Sequence, residues 1–579
     1  MNIKLVDGAV DIPNVPAGSV IGFDIETSPK RELIKEGHDV LLDPRMQSIV
    51  LAQLAIGDTV YVLRNNFASL KSLLEDKRVI KVIHNASFEY KFMMHLGVYI
   101  QNIFDTMLVE GIVENGHIPP LSLEAVAKKY LNMSLNKKVR QKFVSGSQLD
   151  RDMLKYAAED AYVLPQLYRI LVELPEFEGQ QRVVKLEHAL VPVAAAIEYN
   201  GIGFDAVRWQ DNAEHAQVDY AATRREFLTS MPARNTQRIS LTGDTYTDDN
   251  INSREFILSV FQSAGIELPD LKKLTIQDAL QSYDHPLLKL YAKFKLLNKR
   301  VTTYGLPFLD HINPETGRIH QHINQLVART GRLAGSGPNL MNIPKPPIYR
   351  SCFVAPKGRM LVGCDYSQQE YRILAEVSED RGLIEAFEQG IDVHVHTARK
   401  LFHDPTITKD DPRRTPAKNI NFGLIYGMGS QKLARALGCS LSEAKSLMSA
   451  HKREFSRAFA WTEDTVAFAK SHGYVTTLLG RKRYLDTSGM DYERQAKNTP
   501  IQGSAADMMK LALVTVSKNL SSGIIVNVVH DEITVECAVC DVDVCRSSVE
   551  KGMLKSARAL VKHVPFSVDS YAGKRWVKQ

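Results

Sequence analysis

Acidic and basic side chains recur in this chain at spacings that suit phosphate chemistry. In GFDIETSP, Asp24 and Glu26 stand two residues apart, so on a strand both side chains leave the same face. Glu89 in HNASFEYKFM adds an acid, and YAAEDAYVL sets Tyr156 and Asp160 one helical turn apart. In the second half, Asp365 directly follows the apolar run from Met360 to Cys364. His530, Asp531 and Glu532 lie between two β-branched runs in IIVNVVHDEITVEC, the pattern of a hairpin with acids at its tip. Between these acids, Arg414, Lys418, Phe422 and Tyr426 recur every fourth residue in RTPAKNINFGLIYG. Four residues advance about 400° around a helix, so these cations and rings share one slanting face. Cations suit a polyphosphate and a flat ring suits a nucleobase, so the face fits a nucleoside triphosphate. An amphipathic helix with a basic end and aromatic core contacts fits the stripe equally well. The flanking aspartates decide between them. Carboxylates holding two divalent ions about 3.5–4 Å apart would clamp both the attacking and the leaving oxygen of a phosphoryl displacement. Mg²⁺, which takes oxygen ligands and shares them with phosphates, is the expected ion.

The elements that must position these groups fall on two sides of residue 175. Before it, short β-like runs (Val20 to Ile25, Ser48 to Ile56, Val79 to Ile83) alternate with helical patterns, as in a compact α/β domain. After it, LEHALVPVAAAIEYNGIGFD predicts a helix stopping at Asn200-Gly201. Residues 206 to 300 read as mostly helical, with a polar loop around Thr242 to Asn252, and strands and helices mix from Pro307 onward. Ser367 and Glu370 have capping-box spacing, which predicts a helix start. A length of 579 residues exceeds what one core can organise and implies roughly three to five domains or subdomains. With 44% hydrophobic and 24% charged residues the composition excludes a disordered chain. The net charge of +6 is compatible with nucleic acid without requiring it. No apolar run approaches the ~20 residues of a membrane span, and MNIKLVDGAVDIPNVPAG lacks the pattern of a secretion signal. Six cysteines in this length suit a reducing compartment, so a cytoplasmic location is expected. Cys537, Cys540 and Cys545 begin like a metal knuckle, but no second pair follows, so they are expected as buried thiols. The basic run from Lys128 to Lys142 reads as a solvated face.

DYSQQEYR, RTPAKNINFGLIYG and VHDE resemble the three polymerase motifs of the family A DNA polymerases, and TGRLAGSGPNLMNIP, ERQAKNTPIQGSAAD and the closing YAGKRW resemble their intervening signatures, in family order from about Leu186 to the C-terminus. The resemblance implies an α/β and α+β multidomain protein: an RNase H-like 3′–5′ exonuclease domain over 1–175, then a right-hand polymerase domain over 176–579. Within the latter it implies a thumb at about 206–300, palm at about 301–385 and 500–579, and fingers at about 386–499. It also implies the roles. Asp365 and Asp531 would hold two metals. Arg414 and Lys418 would bind the triphosphate, Lys418 also protonating the leaving pyrophosphate, and His394 would add a phosphate contact. Phe422 would pack beside the incoming sugar, Tyr426 would stack near the templating position, and Glu370 would close the space of a ribose 2′-hydroxyl. Arg494, Asn498 and Gln502, a second every-fourth stripe, would join Arg332 in the minor groove near the primer end, and His530 would approach the primer terminus. Met341 and Pro346 depart from the family pattern, and the change at Pro346 leaves one triphosphate contact missing or supplied by the preceding Lys345. Pro416 fits only if its helix begins close by.

In the first half, Asp24, Glu26, Glu89, Tyr156 and Asp160 together resemble the tyrosine subtype of DEDD 3′–5′ exonuclease domain. Two-metal hydrolysis follows, with Tyr156 orienting water and Glu89 standing where many members have Asp. The implied cofactor is Mg²⁺, two ions per active site, with Mn²⁺ as a substitute. Primer-template DNA and deoxynucleoside triphosphates are the implied ligands, a replicative helicase and primase the implied partners, and a monomer the implied state. Only some twenty residues precede Asp24, too few for a 5′ nuclease domain, which suggests a phage replicative enzyme.

Overall fold

The computed structural model describes residues 1–29, 43–117, 119–135, 143, 150–231, 251–425, 427–489 and 491–577, leaving aside the side chains of Val10, Leu274, Gln281, Phe422 and Leu424. The chain forms two compact units, one of residues 1–204, 311–409 and 455–579 and the other of 205–310 and 410–454.

The first unit opens with a mixed six-stranded sheet built from β1 (Asn2–Val6), β2 (Val20–Pro29), β3 (Gln47–Ile56), β4 (Thr59–Leu63), β5 (Ile80–Ile83) and β6 (Ile103–Asp105), in the order β1-β4-β3-β2-β5-β6. Alternation in β2 sorts its side chains. Ile21, Phe23 and Ile25 enter one core with Leu54, Tyr90 and Phe92, while Gly22, Asp24 and Glu26 take the opposite face. Helices α1 (Ser87–His95) and α2 (Arg151–Leu171) follow, and α2 covers the acidic face, packing Met153, Tyr156, Ala157 and Ala161 on Leu51, Ala55, Val60 and Val62. Gly22 is the point of closest approach. A Cβ there would meet the Ala161 carbonyl oxygen at 2.2 Å, so only glycine lets α2 cross this low over β2. α3 (Gln181–Asn200) ends as expected at Gly201, whose φ of 57° suits glycine.

In the second unit, α4 (Ala206–Thr229) and α5 (Pro286–Tyr304) pack through Phe227, Tyr291 and Phe294. Trp209 Nε1 donates to the Gly305 carbonyl at 3.2 Å, closing the base of the pair. The expected loop around Thr242 to Asn252 lies almost wholly outside the described residues.

Returning to the first unit, β7 (Arg359–Tyr366) leads into α6 (Gln369–Ser378) and α7 (Val393–Leu401). In the second unit, α8 (Arg414–Ile425) begins two residues before Pro416, which therefore sits in the first turn, where a missing N–H is harmless. The long α9 (Tyr492–Asn519) carries Pro500 inside it. Then come β8 (Ile524–Val529), β9 (Glu532–Ala538), α10 (Val542–Leu560) and β10 (Val568–Gly573), and the antiparallel sheet runs β8-β9-β7-β10 with α10 against β7 and β9.

A buried charge cluster ties these elements together. Arg481 bonds Asp507 at 2.6 Å and pairs with Glu187 of α3, which also receives Lys510 of α9. Burial raises the Glu187 pKa, but Lys510 and Arg481 more than offset this and hold it at about 2.

Some expectations need correction. The capping box does not form: Gln368 takes the position before α6 with φ 52°, the Ser367 N–H already bonds the Ser567 carbonyl, and Glu370 meets Arg332 instead. Cys537 and Cys545 are buried, but Cys540 is exposed, because it lies in a turn of 3₁₀ helix beyond the end of β9. In the basic run, Lys128 and Lys129 are exposed as expected, and Lys129 also bonds Glu110 at 2.9 Å and Glu114 at 2.6 Å. Residues 136–142 of that run lie outside the described residues.

Candidate active sites

Low over β2, α2 brings Asp160 to the two strand acids. Ligand oxygens of Asp24, Glu26 and Asp160 lie within 4.8 Å of one another. Glu26 and Asp160 are 6% and 9% exposed, so water screens this crowding poorly. At an effective dielectric near 20, each pair of ionised carboxylates at such a distance repels by roughly 3–4 kcal/mol. A divalent cation would relieve that repulsion, and a set of hard oxygen donors is the set Mg²⁺ or Mn²⁺ takes. One turn before Asp160, Tyr156 hydrogen-bonds to it, and burial, then Asp160, Glu26 and Asp24, drive the phenol pKa far upward. The phenol stays protonated and keeps its hydrogen to donate. Glu89 is 3% exposed in the first turn of α1, and it is not a member of the close trio. Two residues on, Lys91 makes a buried 2.7 Å ion pair with Glu198 of α3, which anchors α1.

In the C-terminal sheet, Asp365 near the end of β7 faces Glu532 on β9 and Asp569 on β10. The Tyr366 N–H donates to the Asp531 carbonyl at 3.1 Å, which fastens the hairpin tip beside Asp365. The tip is His530-Asp531, with His530 at φ 54°, a left-handed conformation uncommon outside glycine. Glu532 is already engaged, accepting from Tyr571 at 2.7 Å and Trp576 Nε1 at 2.8 Å. Partial burial, then Arg332, Lys345 and Arg350, lower the His530 pKa, against the opposing charge of Asp365.

Arg332 pairs with Glu370 in the first turn of α6. His394 is not on a helix surface: it is 1% exposed, its ring edge-on to Tyr371 at 5.1 Å, so a phosphate contact would first require its exposure. On α8, Arg414 and Lys418 lie one turn apart and Lys418 is exposed, while Ala417, Ile420 and Asn421 turn inward and Asn421 bonds His451 at 3.0 Å. The Phe422 side chain and Tyr426 lie outside the described residues. On α9, Arg494 is exposed and Asn498 and Gln502 half-buried, on the side away from the buried Ala496, Thr499 and Gly503. The sequence reading missed the Glu187–Arg481–Asp507–Lys510 cluster, since its members are up to 323 residues apart and no local pattern links them.

Residues 222–578 match the DNA polymerase family A model and residues 10–174 match that of a 3′–5′ exonuclease. DNA polymerase I of Pseudomonas aeruginosa is 34% identical over 547 residues, covering 88% of this chain and 57% of its own. The thermostable DNA polymerase I of Thermus thermophilus is 32% identical over 500 residues, covering 82% and 55%. The chain thus spans a little over half the length of the curated relatives it matches. The POL domain of Pol1 from M. smegmatis, solved in complex with DNA primer-template and dNTP, superposes with a TM-score of 0.78 at 26% identity and covers 96% of both chains. No helix among the described residues is long and apolar enough to cross a membrane. This chain belongs to family A of the DNA polymerases and carries a 3′–5′ exonuclease domain ahead of its polymerase domain.

Proposed function

We propose that this chain adds deoxynucleotides to a primer 3′ end under template direction and proofreads by 3′–5′ hydrolysis, in the service of phage DNA replication. The observation that carries the reading is the presence, in one chain, of a close acid trio and of Asp531 fastened beside Asp365. Two Mg²⁺ per site, with Mn²⁺ as a substitute, supply charge neutralisation of the phosphate oxygens when bound. Asp365 and Asp531 hold them in the polymerase domain; Asp24, Glu26 and Asp160, with Glu89, hold them in the exonuclease domain. In extension, the primer 3′-hydroxyl gives its proton to water as its oxygen bonds to the α-phosphorus, the bond from that phosphorus to the oxygen bridging to the β-phosphate breaks, and Lys418 gives a proton to the departing pyrophosphate. Arg414 binds the triphosphate, and His394 joins once uncovered. Phe422 and Tyr426 flank sugar and base, and Glu370 excludes a 2′-hydroxyl. Arg332, Arg494, Asn498 and Gln502 feel the minor groove, where similar acceptors on every base pair test shape rather than sequence. His530 sits at the primer terminus. In hydrolysis, Tyr156 orients the attacking water. The exonuclease domain occupies 1–175 and the polymerase domain 176–579, working as a cytoplasmic monomer with a helicase and primase.

One primer-template tests the reading. With Mg²⁺ and deoxynucleotides the primer lengthens; without nucleotides it shortens from its 3′ end; with ribonucleotides alone it does not grow. Dideoxynucleotides enter less readily than deoxynucleotides, because position 422 is Phe rather than Tyr. A chain that shortens primers but never extends them under any of these conditions would refute the polymerase reading.

A further inference from the structure

Leu51, Gln53 and Ala55 alternate onto the face of β3 that α2 covers, and Leu51 and Ala55 pack there with Tyr156, Ala157 and Ala161. Gln53 therefore projects onto the face that bears the acid trio. It is the direct partner of Asp24 across the antiparallel β2–β3 ladder. Residues so opposed hold their Cβ atoms about 4.5–5.5 Å apart. The Gln53 side chain is 0% exposed, and neither its Oε1 nor its Nε2 has a hydrogen-bond partner. A buried polar group left unsatisfied is destabilising. Packing does not explain the amide, because Leu51, Ala55 and its other ladder partner Val62 are all apolar. A leucine would fill the same place without that cost. Of its two ladder partners, only Asp24 offers an acceptor, and a carboxamide N–H is the group that can bond a carboxylate without adding charge.

We propose that Gln53 is a positioning residue of the exonuclease site. Its amide, unpartnered in this structure, would turn to donate to the Asp24 carboxylate once a divalent cation is bound, so that Asp24 meets the ion in one orientation. The proposal rests on reading the acid trio as a cation site. Partners standing behind a metal ligand typically contribute 10–100-fold in metal affinity, and the trio's mutual repulsion makes this carboxylate one that needs holding.

The test is a Mn²⁺ titration of the full chain, followed by electron paramagnetic resonance, on the wild type, Asp24→Ala and Gln53→Leu, with thermal unfolding recorded for each. Asp24→Ala identifies the binding that belongs to this site. Gln53→Leu should weaken that binding about tenfold, with its unfolding temperature unchanged or raised, and its 3′–5′ hydrolysis should recover as Mn²⁺ is raised. Gln53→Met should behave alike and serves if the leucine variant fails to fold. Wild-type Mn²⁺ affinity in both Gln53 variants, while Asp24→Ala loses a site, would overturn the role of Gln53 alone. Unchanged Mn²⁺ binding in Asp24→Ala would overturn the cation site and the proposal with it.

Discussion

In the N-terminal domain the acids converge from a sheet face and a helix that crosses it, whereas in the C-terminal sheet they lie side by side at the ends of hydrogen-bonded strands. Asp24, Glu26 and Asp160 approach within 4.8 Å because Gly22 lets α2 descend onto β2. Asp365 and Asp531 are neighbours because a backbone bond from Tyr366 to Asp531 closes the strand end. The surroundings differ as well. The trio sits among acids alone, whereas at the hairpin tip Arg332, Lys345 and Arg350 stand beside His530 together with Asp365. A site built by converging side chains is sensitive to each carboxylate and to its supports. A site built by backbone pairing keeps its shape when one side chain is trimmed.

That contrast can be broken by substitution. The largest effect expected is from Asp365→Ala, which should lower primer extension at least about a thousandfold by removing a carboxylate proposed to hold a metal while leaving the unfolding midpoint nearly unchanged, as measured by rapid-quench extension and denaturant titration. A large loss of stability there would contradict a backbone-built site. Next is Arg481→Met, which strips the partner from buried Glu187 and Asp507 and should cost about 3–5 kcal/mol of stability, read from urea unfolding. Wild-type stability in that variant would show that the cluster does not tie α3 to α9. The same cluster gives a pH dependence. Glu187 is held at about 2 against an ordinary 4.5, so its stabilisation is present above pH 4.5 and is lost as pH falls from there toward 2. Glu187→Gln should flatten that acid limb of the stability profile. The smallest effect is at the Arg332–Glu370 pair. Glu370→Ala should raise ribonucleotide incorporation relative to deoxynucleotide while changing stability by no more than about 1 kcal/mol, since the pair is partly exposed. An unchanged ribonucleotide ratio would remove Glu370 from the sugar site.

Much of this was legible in the chain itself. The i, i+2 spacing of Asp24 and Glu26 and the i, i+4 spacing of Tyr156 and Asp160 are local facts, and the strand and helix periods convert them directly into shared faces. The hairpin tip at His530-Asp531 and the stop at Gly201 were legible for the same reason. What local spacing does not carry is contact between distant segments. Gly22 looks like any strand glycine until α2 lies on it. Nothing adjacent to Glu187 announces Arg481 or Lys510. The capping box failed because the Ser367 N–H was taken by Ser567, 200 residues on. His394 lies inward, its ring nearly perpendicular to that of Tyr371 on the neighbouring α6.

The central claim is that two separable acid sites act on the same primer end. Asp24→Ala and Asp531→Ala, each assayed on one labelled primer-template with Mg²⁺, with and without deoxynucleotides, test it most directly. Asp24→Ala should extend the primer and not shorten it, and Asp531→Ala should shorten it and not extend it. Loss of both activities in either variant, or extension by Asp531→Ala, would contradict the account.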